Sequence, residues 1–285
     1  MSPTNTMAGR TCVITGATNG IGRAAALELA RAGARLVVVC RNPTKADALL
    51  TELAPGDHKA VIADLEHLDE VRRAAAEIIA MNVPVHVLLN NAGIVAMSRS
   101  ETTDGFEKTF AVNHLAPFLL TNLLLDTLAT STPARIVSVA SDAHRFTRGR
   151  LDFDNLQGER VYRTMRHYGL TKLCNILFTV ELARRIEGRG ITANSLHPGM
   201  VSTGLGTNNG IVSKVGVALL RPFARTPERG AESSIYLCSS SEVAGESGGY
   251  YYNSKPYKAA GYAGNTEDAA RLWKLSCELT GLDAD

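Results

Sequence analysis

An α/β fold with a doubly wound parallel sheet is predicted by three observations in the sequence. Short β-branched runs recur along the chain, each followed by a longer segment with helical spacing. The runs are apolar at successive positions, as strands covered on both faces must be. The first run ends in a Gly-rich turn that opens directly onto a helical pattern. No linker, internal repeat or low-complexity segment interrupts this alternation, so residues 1–285 are expected to form a single domain.

In chain order, the first strand is expected within 11–17, where Cys12, Val13 and Ile14 form the apolar run. A helix follows over 20–32, and Gly33 is placed to end it. Residues 36–40 are a continuous apolar run and read as the second strand. Further strands are expected at 60–63, 85–89, 135–139 and 191–196, with helices at about 43–54, 67–80, 105–129 and 162–188. A helix over 227–240, a short strand at 250–252 and a helix from about 266 to 280 complete the chain. The stretch 204–225 is irregular and rich in Gly and Asn; it reads either as a cover over a site or as a connection.

Composition narrows the function classes. Thirty Lys+Arg against 28 Asp+Glu give a formal net charge of +2, and neither balance nor clustering supplies the basic stripe of a nucleic-acid protein. Hydrophobic residues make up 45%, too many for a disordered chain. The five cysteines have no C-x-x-C spacing and sit in apolar surroundings, which points to reduced thiols and a cytoplasmic protein. Residues 1–10 lack the apolar stretch of a signal peptide. The longest apolar run, 115–125, is interrupted and falls short of the roughly 20 residues that span a bilayer.

The turn Thr15-Gly16-Ala17-Thr18-Asn19-Gly20-Ile21-Gly22 has the chemistry of a phosphate cradle. Gly16 permits a tight turn, Gly20 lets backbone N–H groups approach a pyrophosphate, and Gly22 allows helix and strand to pack closely. The following helix N-terminus adds free N–H donors and the positive end of its dipole. An ordinary Gly-rich connection has the same composition, but its place after the first strand favours a dinucleotide. An NAD-binding chain usually ends its second strand with an acid for the ribose 2′-hydroxyl. Here Arg41-Asn42 stand there instead. A guanidinium can pair with a 2′-phosphate, so NADP(H) is favoured over NAD(H), although Arg41 could also be a solvated residue opening a loop.

Tyr168 and Lys172 lie four residues apart, on one face of the expected helix. A phenol titrates near pH ~10, and a nearby ammonium or a cationic nicotinamide ring favours its phenolate form. Such a tyrosine can give a proton to a carbonyl oxygen or take one from an alcohol. A second donor is needed where negative charge develops on that oxygen. Ser141, just past the fifth strand, lies at the sheet edge where such ligands bind. His197 precedes Pro198 and has no clustered partner, and the other six histidines are scattered, so no metal site is expected.

Taken together, Thr15-Gly16-x-x-x-Gly20-Ile21-Gly22, Asn90-Asn91-Ala92-Gly93 and Tyr168-x-x-x-Lys172 resemble the short-chain dehydrogenase/reductase family, matching along nearly the whole chain. The resemblance implies a Rossmann fold and hydride transfer between a nicotinamide and a carbonyl or alcohol group. It implies that Gly16, Thr18, Asn19, Gly20, Ile21 and Gly22 hold the pyrophosphate. Asp64 and Leu65 would meet the adenine, although Asp64 could equally cap a helix. Asn90, Asn91, Ala92 and Gly93 would brace the sheet beside the cofactor. Lys172 would also hold the nicotinamide ribose, and Pro198, Gly199, Val201 and Thr203 would meet the nicotinamide. The catalytic set implied is Asn113, Ser141, Tyr168 and Lys172, with Asn113 positioning a water beside the lysine. Ala140 departs from the family's Ser-Ser strand ending and leaves Ser141 as the candidate.

The insertion at 151–156, Asn113-His114-Leu115, Lys172-Leu173-Cys174-Asn175 and Arg271-Leu272-Trp273 resemble the retinol-dehydrogenase-like and WW-domain-oxidoreductase branch. Phe146, Met200 and Leu205 could line an apolar substrate cavity, and core packing explains each equally well. The family pairs subunits as homodimers or homotetramers through two long helices, here 105–129 and 162–188, whose apolar stripes could instead be buried within one subunit. The alternative in a different class is a non-catalytic dinucleotide sensor, which would need the turn but not Asn113, Ser141, Tyr168 and Lys172 together. An isomerising enzyme with the same cofactor fits the compact length and turn spacing less well.

Overall fold

The computed structural model describes residues 6–201 and 224–283. Thr203, Leu205 and most of the 204–225 stretch lie outside the described residues. The strands are β1 Thr11–Thr15, β2 Arg35–Cys40, β3 Lys59–Ile62, β4 Val87–Asn90, β5 Ala134–Val139, β6 Ile191–His197, β7 Tyr250–Tyr252 and β8 Lys255–Pro256. They form one sheet in the order β3-β2-β1-β4-β5-β6-β7-β8. Pairing is parallel as far as β7, and only β8 runs antiparallel to its neighbour. The order reverses between β1 and β4, which opens a crevice at the carboxyl ends of the strands.

Helices cover both faces: α1 Gly20–Arg31, α2 Pro43–Glu52, α3 Leu68–Ala80, α4 Lys108–Phe110, α5 Ala116–Ala129, α6 Thr164–Arg185, α7 Pro227–Ser239 and α8 Thr266–Thr280. The strand residues divide by alternation. Cys12, Ile14, Leu36, Val38 and Leu89 pack on one side with Ala25 and Leu29 of α1 and Leu237 of α7. Val13, Val37, Leu88 and Ile136 pack on the other with Val71 of α3, Leu119 of α5 and Leu177 of α6. Covering both faces is why the strands read as unbroken apolar runs. Each such buried aliphatic side chain contributes about 1.5–3 kcal/mol.

Most expected elements lie within a few residues of their sequence limits. The largest difference is in the helix expected over 105–129, where a π-helical segment, Ala111–Leu115, separates α4 from α5. Pro117 has no N–H to donate and its ring crowds the carbonyl four residues back, that of Asn113, so the wider π turn relieves that position.

The C-terminal helix α8 lies over α5 and α6. Trp273 stacks on Phe178 at 5.9 Å and meets the edge of Phe118 at 5.0 Å. Arg185 sits over the same indole, 4.5 Å from its centroid. His114 Nε2 bonds Ser276 Oγ at 2.8 Å. Part of the apolar stripe on the two long helices is therefore covered by the chain itself. The 151–156 insertion is fastened to the same helix: Arg150 donates to Asp268 at 2.7 and 2.9 Å, and Arg271 lies over the Phe153 ring.

Candidate active site

A cleft of about 930 Å³ runs along the carboxyl ends of the strands. Its floor is the Gly-rich turn. Gly16 and Gly20 have φ of +69° and +55°, a region in which side chains are strained. A Cβ at Gly22 would lie 2.3 Å from Asn91 Nδ2 and 2.4 Å from the Gly16 carbonyl oxygen, so this position has no room for one. Asn19 caps α1, its Oδ1 accepting from Gly20 N at 2.8 Å, and the first turn of α1 carries no acid. Asn91 ties this turn to β4: its amide donates to the Thr15 and Gly16 carbonyls at 2.9 and 3.2 Å. Thr15 Oγ1 accepts the backbone N–H groups of Asn91 and Ala92, both at 3.0 Å. The result is a rigid, electropositive floor.

At the β2 and β3 side, the cleft is lined by Arg41, Asn42, Lys45, Asp64, Leu65, Glu66 and Lys108. Glu66 Oε1 lies 2.8 Å from Lys108 Nζ and 3.6 Å from Arg41 Nη1. Asn42 caps α2 by accepting from Lys45 N at 2.9 Å. Asp64 Oδ1 accepts from Glu66 N at 3.1 Å, a local turn contact; the helix that follows begins at Leu68 with His67 at its N-cap, so Asp64 does not cap it. Lys45, Glu66 and Lys108 were not legible as site residues. The only sequence signal was that Lys45 stands four residues after Arg41, in the first turn of α2.

At the β5 and β6 side stand Ser141, Tyr168, Lys172, Pro198, Gly199 and Val201, with Gly93 between the two ends. Lys172 is buried; its Nζ donates to Val139 O at 2.8 Å and lies 5.6 Å from the Tyr168 ring centroid. Burial lowers the Lys172 ammonium to about 8. Asn113, in the π-helical segment, is fully buried behind this wall rather than in it. Its Oδ1 accepts from Ile94 N at 2.8 Å, and its Nδ2 donates to Ile94 O and Thr171 Oγ1, both at 3.0 Å. Both amide protons are thus used, and one acceptor site on Oδ1 is left.

Two sequence expectations need correction here. The lysine does not hold the phenol below its ordinary range: burial pushes Tyr168 up to about 12, with a hydrogen bond from Ser141 working against it. Asn90 does not line the cleft; it is buried and its Nδ2 donates to Thr121 Oγ1 at 2.9 Å, beneath the sheet. Phe146 and Met200 are about half exposed and are not among the cleft-lining residues, whereas Met97 is. Among the described residues, no three His, Cys, Asp or Glu side chains converge as metal ligands, and no helix is long and apolar enough to cross a membrane.

Residues 10–152 match the short chain dehydrogenase family. The chain is 39% identical to mouse retinol dehydrogenase 12, across 96% of this chain and 87% of that one. It belongs to the short-chain dehydrogenase family. Human retinol dehydrogenase 13 is 42% identical over 98% of this chain and 87% of its own, which places this dehydrogenase in the retinol-dehydrogenase-like branch. An uncharacterised protein from Mycobacterium paratuberculosis has a similar structure, with a TM-score of 0.78, 34% identity and coverage of 98% and 96% of the two chains. The RhlG/NADP active-site complex from Pseudomonas aeruginosa has a TM-score of 0.68 at 25% identity, covering 92% of this chain and all of that one. The dehydrogenase therefore shares its fold with these two proteins.

Proposed function

We propose that this dehydrogenase uses NADP(H), in preference to NAD(H), to interconvert carbonyl and alcohol groups on an apolar small molecule. One observation carries the reading: Tyr168, Lys172 and Ser141 line the same cleft as Arg41 and Lys45, across the β2-β1-β4-β5 span of the sheet. At ~4.8 Å per strand that span is about 14 Å, room for an extended dinucleotide.

The donor set fits that cofactor. The α1 N-terminus suits a pyrophosphate, Arg41 and Lys45 suit a 2′-phosphate, and Lys172 suits ribose hydroxyls. The bound nicotinamide supplies or accepts the hydride. Tyr168, protonated at neutral pH, gives its proton to the carbonyl oxygen as charge builds there, and Ser141 supports that oxygen with its hydroxyl. Lys172 orients the ribose beside Tyr168, and the remaining acceptor site of Asn113 holds a water that returns protons from solvent. Asp64 and Leu65 flank the adenine; Pro198, Gly199 and Val201 meet the nicotinamide. The five buried free cysteines support a reducing compartment, the cytoplasm.

The test is a screen for NADPH oxidation across aldehydes, ketones and quinones, with retinal included because the relatives are named for retinol. Turnover that vanishes in Tyr168→Phe is expected. Absence of turnover with every carbonyl, alongside equal affinity for NADPH and NADH, overturns the reading.

A further inference from the structure

We propose that His197, outside the catalytic set, is a positioning residue that ties the serine corner of the site to the Pro198-Gly199 turn. The inference rests on the assignment of Ser141 as the second donor. His197 Nδ1 accepts two backbone N–H groups, from Asp142 at 3.2 Å and from Gly199 at 3.3 Å. One nitrogen thus joins the residue after Ser141 to the turn that closes the β6 side of the cleft. A ring nitrogen that accepts twice carries no proton, so the proton sits on Nε2.

The ring is held in place from outside. It stacks on Tyr252 with centroids 4.8 Å apart and planes at 24°. Arg225 lies over the other partner of that stack, 4.8 Å from the Tyr252 centroid, and donates to its hydroxyl at 2.5 Å. Gly199 has φ of +86°, and a Cβ there would meet the Arg225 side chain at 2.8 Å, so the turn is shaped to the same arginine. Ser141 is secured separately: His144 Nδ1 bonds its carbonyl at 2.8 Å while His144 Nε2 accepts from Ala260 N at 3.0 Å.

The brace works only while His197 is neutral. Partial burial lowers it to about 4; Arg225, His144 and Arg145 push the same way and Asp142 opposes them. At neutral pH the acceptor is therefore always available.

The experiment compares His197→Leu, which removes the acceptor, with His197→Asn, whose Oδ1 can replace Nδ1. Amide hydrogen exchange at Asp142 and Gly199 is measured beside steady-state turnover, and thermal melts check that each variant is folded. In His197→Leu both amides are expected to exchange at least about tenfold faster and kcat to fall about tenfold, with a smaller change in KM for the carbonyl. His197→Asn is expected to restore both. Should the Leu variant not fold, His197→Gln, with its acceptor one bond farther out, takes its place and the same contrast with Asn applies. Unchanged exchange in the variant lacking the acceptor, unchanged kcat beside an active wild type, or equal impairment in both variants would overturn the proposal. Faster exchange in a protein whose wild type turns over no carbonyl would leave the brace standing and remove the proposed function instead.

Discussion

The ammonium of Lys172 donates to the carbonyl oxygen of Val139 across 2.8 Å, linking the middle of α6 to the last residue of β5. The contact sets the height of α6 above the strand end from which Ser141 follows. It also leaves a charge in a buried place, and burial has an energetic consequence that can be measured.

Because folding lowers Lys172 from 10.5 to about 8, the unfolded chain binds the extra proton more readily between those values. This lysine's contribution to stability is complete above pH 10.5 and is lost as pH falls through 8. Lys172→Met should therefore abolish turnover yet stabilise the fold at pH 7 by about 2 kcal/mol, with the gain shrinking toward pH 10. Urea unfolding of both proteins at pH 7 and pH 10 checks the sign. A variant less stable at both values would contradict it.

Tyr168→Phe removes one hydroxyl from a half-buried ring whose titration lies at about 12. Turnover should drop by at least about 10²-fold, while NADPH affinity by fluorescence titration stays within about threefold. Across pH 6–9 the wild-type reduction rate should show no inflection from this residue in the free protein.

Glu66 places a negative charge between Arg41 and Lys108. Glu66→Gln should raise the affinity ratio of NADPH over NADH by about threefold or more, since it removes repulsion from a 2′-phosphate. Arg41→Asp should lower or invert the ratio. Lys45→Ala should lower it by a smaller amount, because a single exposed ammonium is screened by salt. Isothermal titration with both cofactors at two ionic strengths reads all three.

Trp273→Ala should cost about 3–5 kcal/mol, since it empties the contact between α8 and the Phe118–Phe178 pair. Baring that face should also increase self-association, measurable by sedimentation.

The legible parts of this protein were those written in short spacings. The Gly-rich turn and the Tyr168–Lys172 pair each lie within one strand–turn–helix unit or one helical turn, so local geometry alone carries their meaning. Strand positions were equally plain, because burial on both faces leaves unbroken apolar runs. What escaped the sequence depends on separate elements meeting. Lys45, Glu66 and Lys108 come from α2, the β3–α3 connection and α4, and nothing in their spacing brings them together. The direction of the Tyr168 shift was misread because the neighbouring charge was visible in the sequence and the depth of burial was not. Asn90 and Asn91 are adjacent and alike, yet strand alternation sends one beneath the sheet and the other to the turn.

The placement of α8 has a consequence for biosynthesis. A ribosome that has released only the first 265 residues has already delivered every candidate catalytic side chain, but Phe118 and Phe178 still lack their indole cover. Until α8 emerges, the nascent polypeptide presents an oily flank to solvent, a surface on which a chaperone could act.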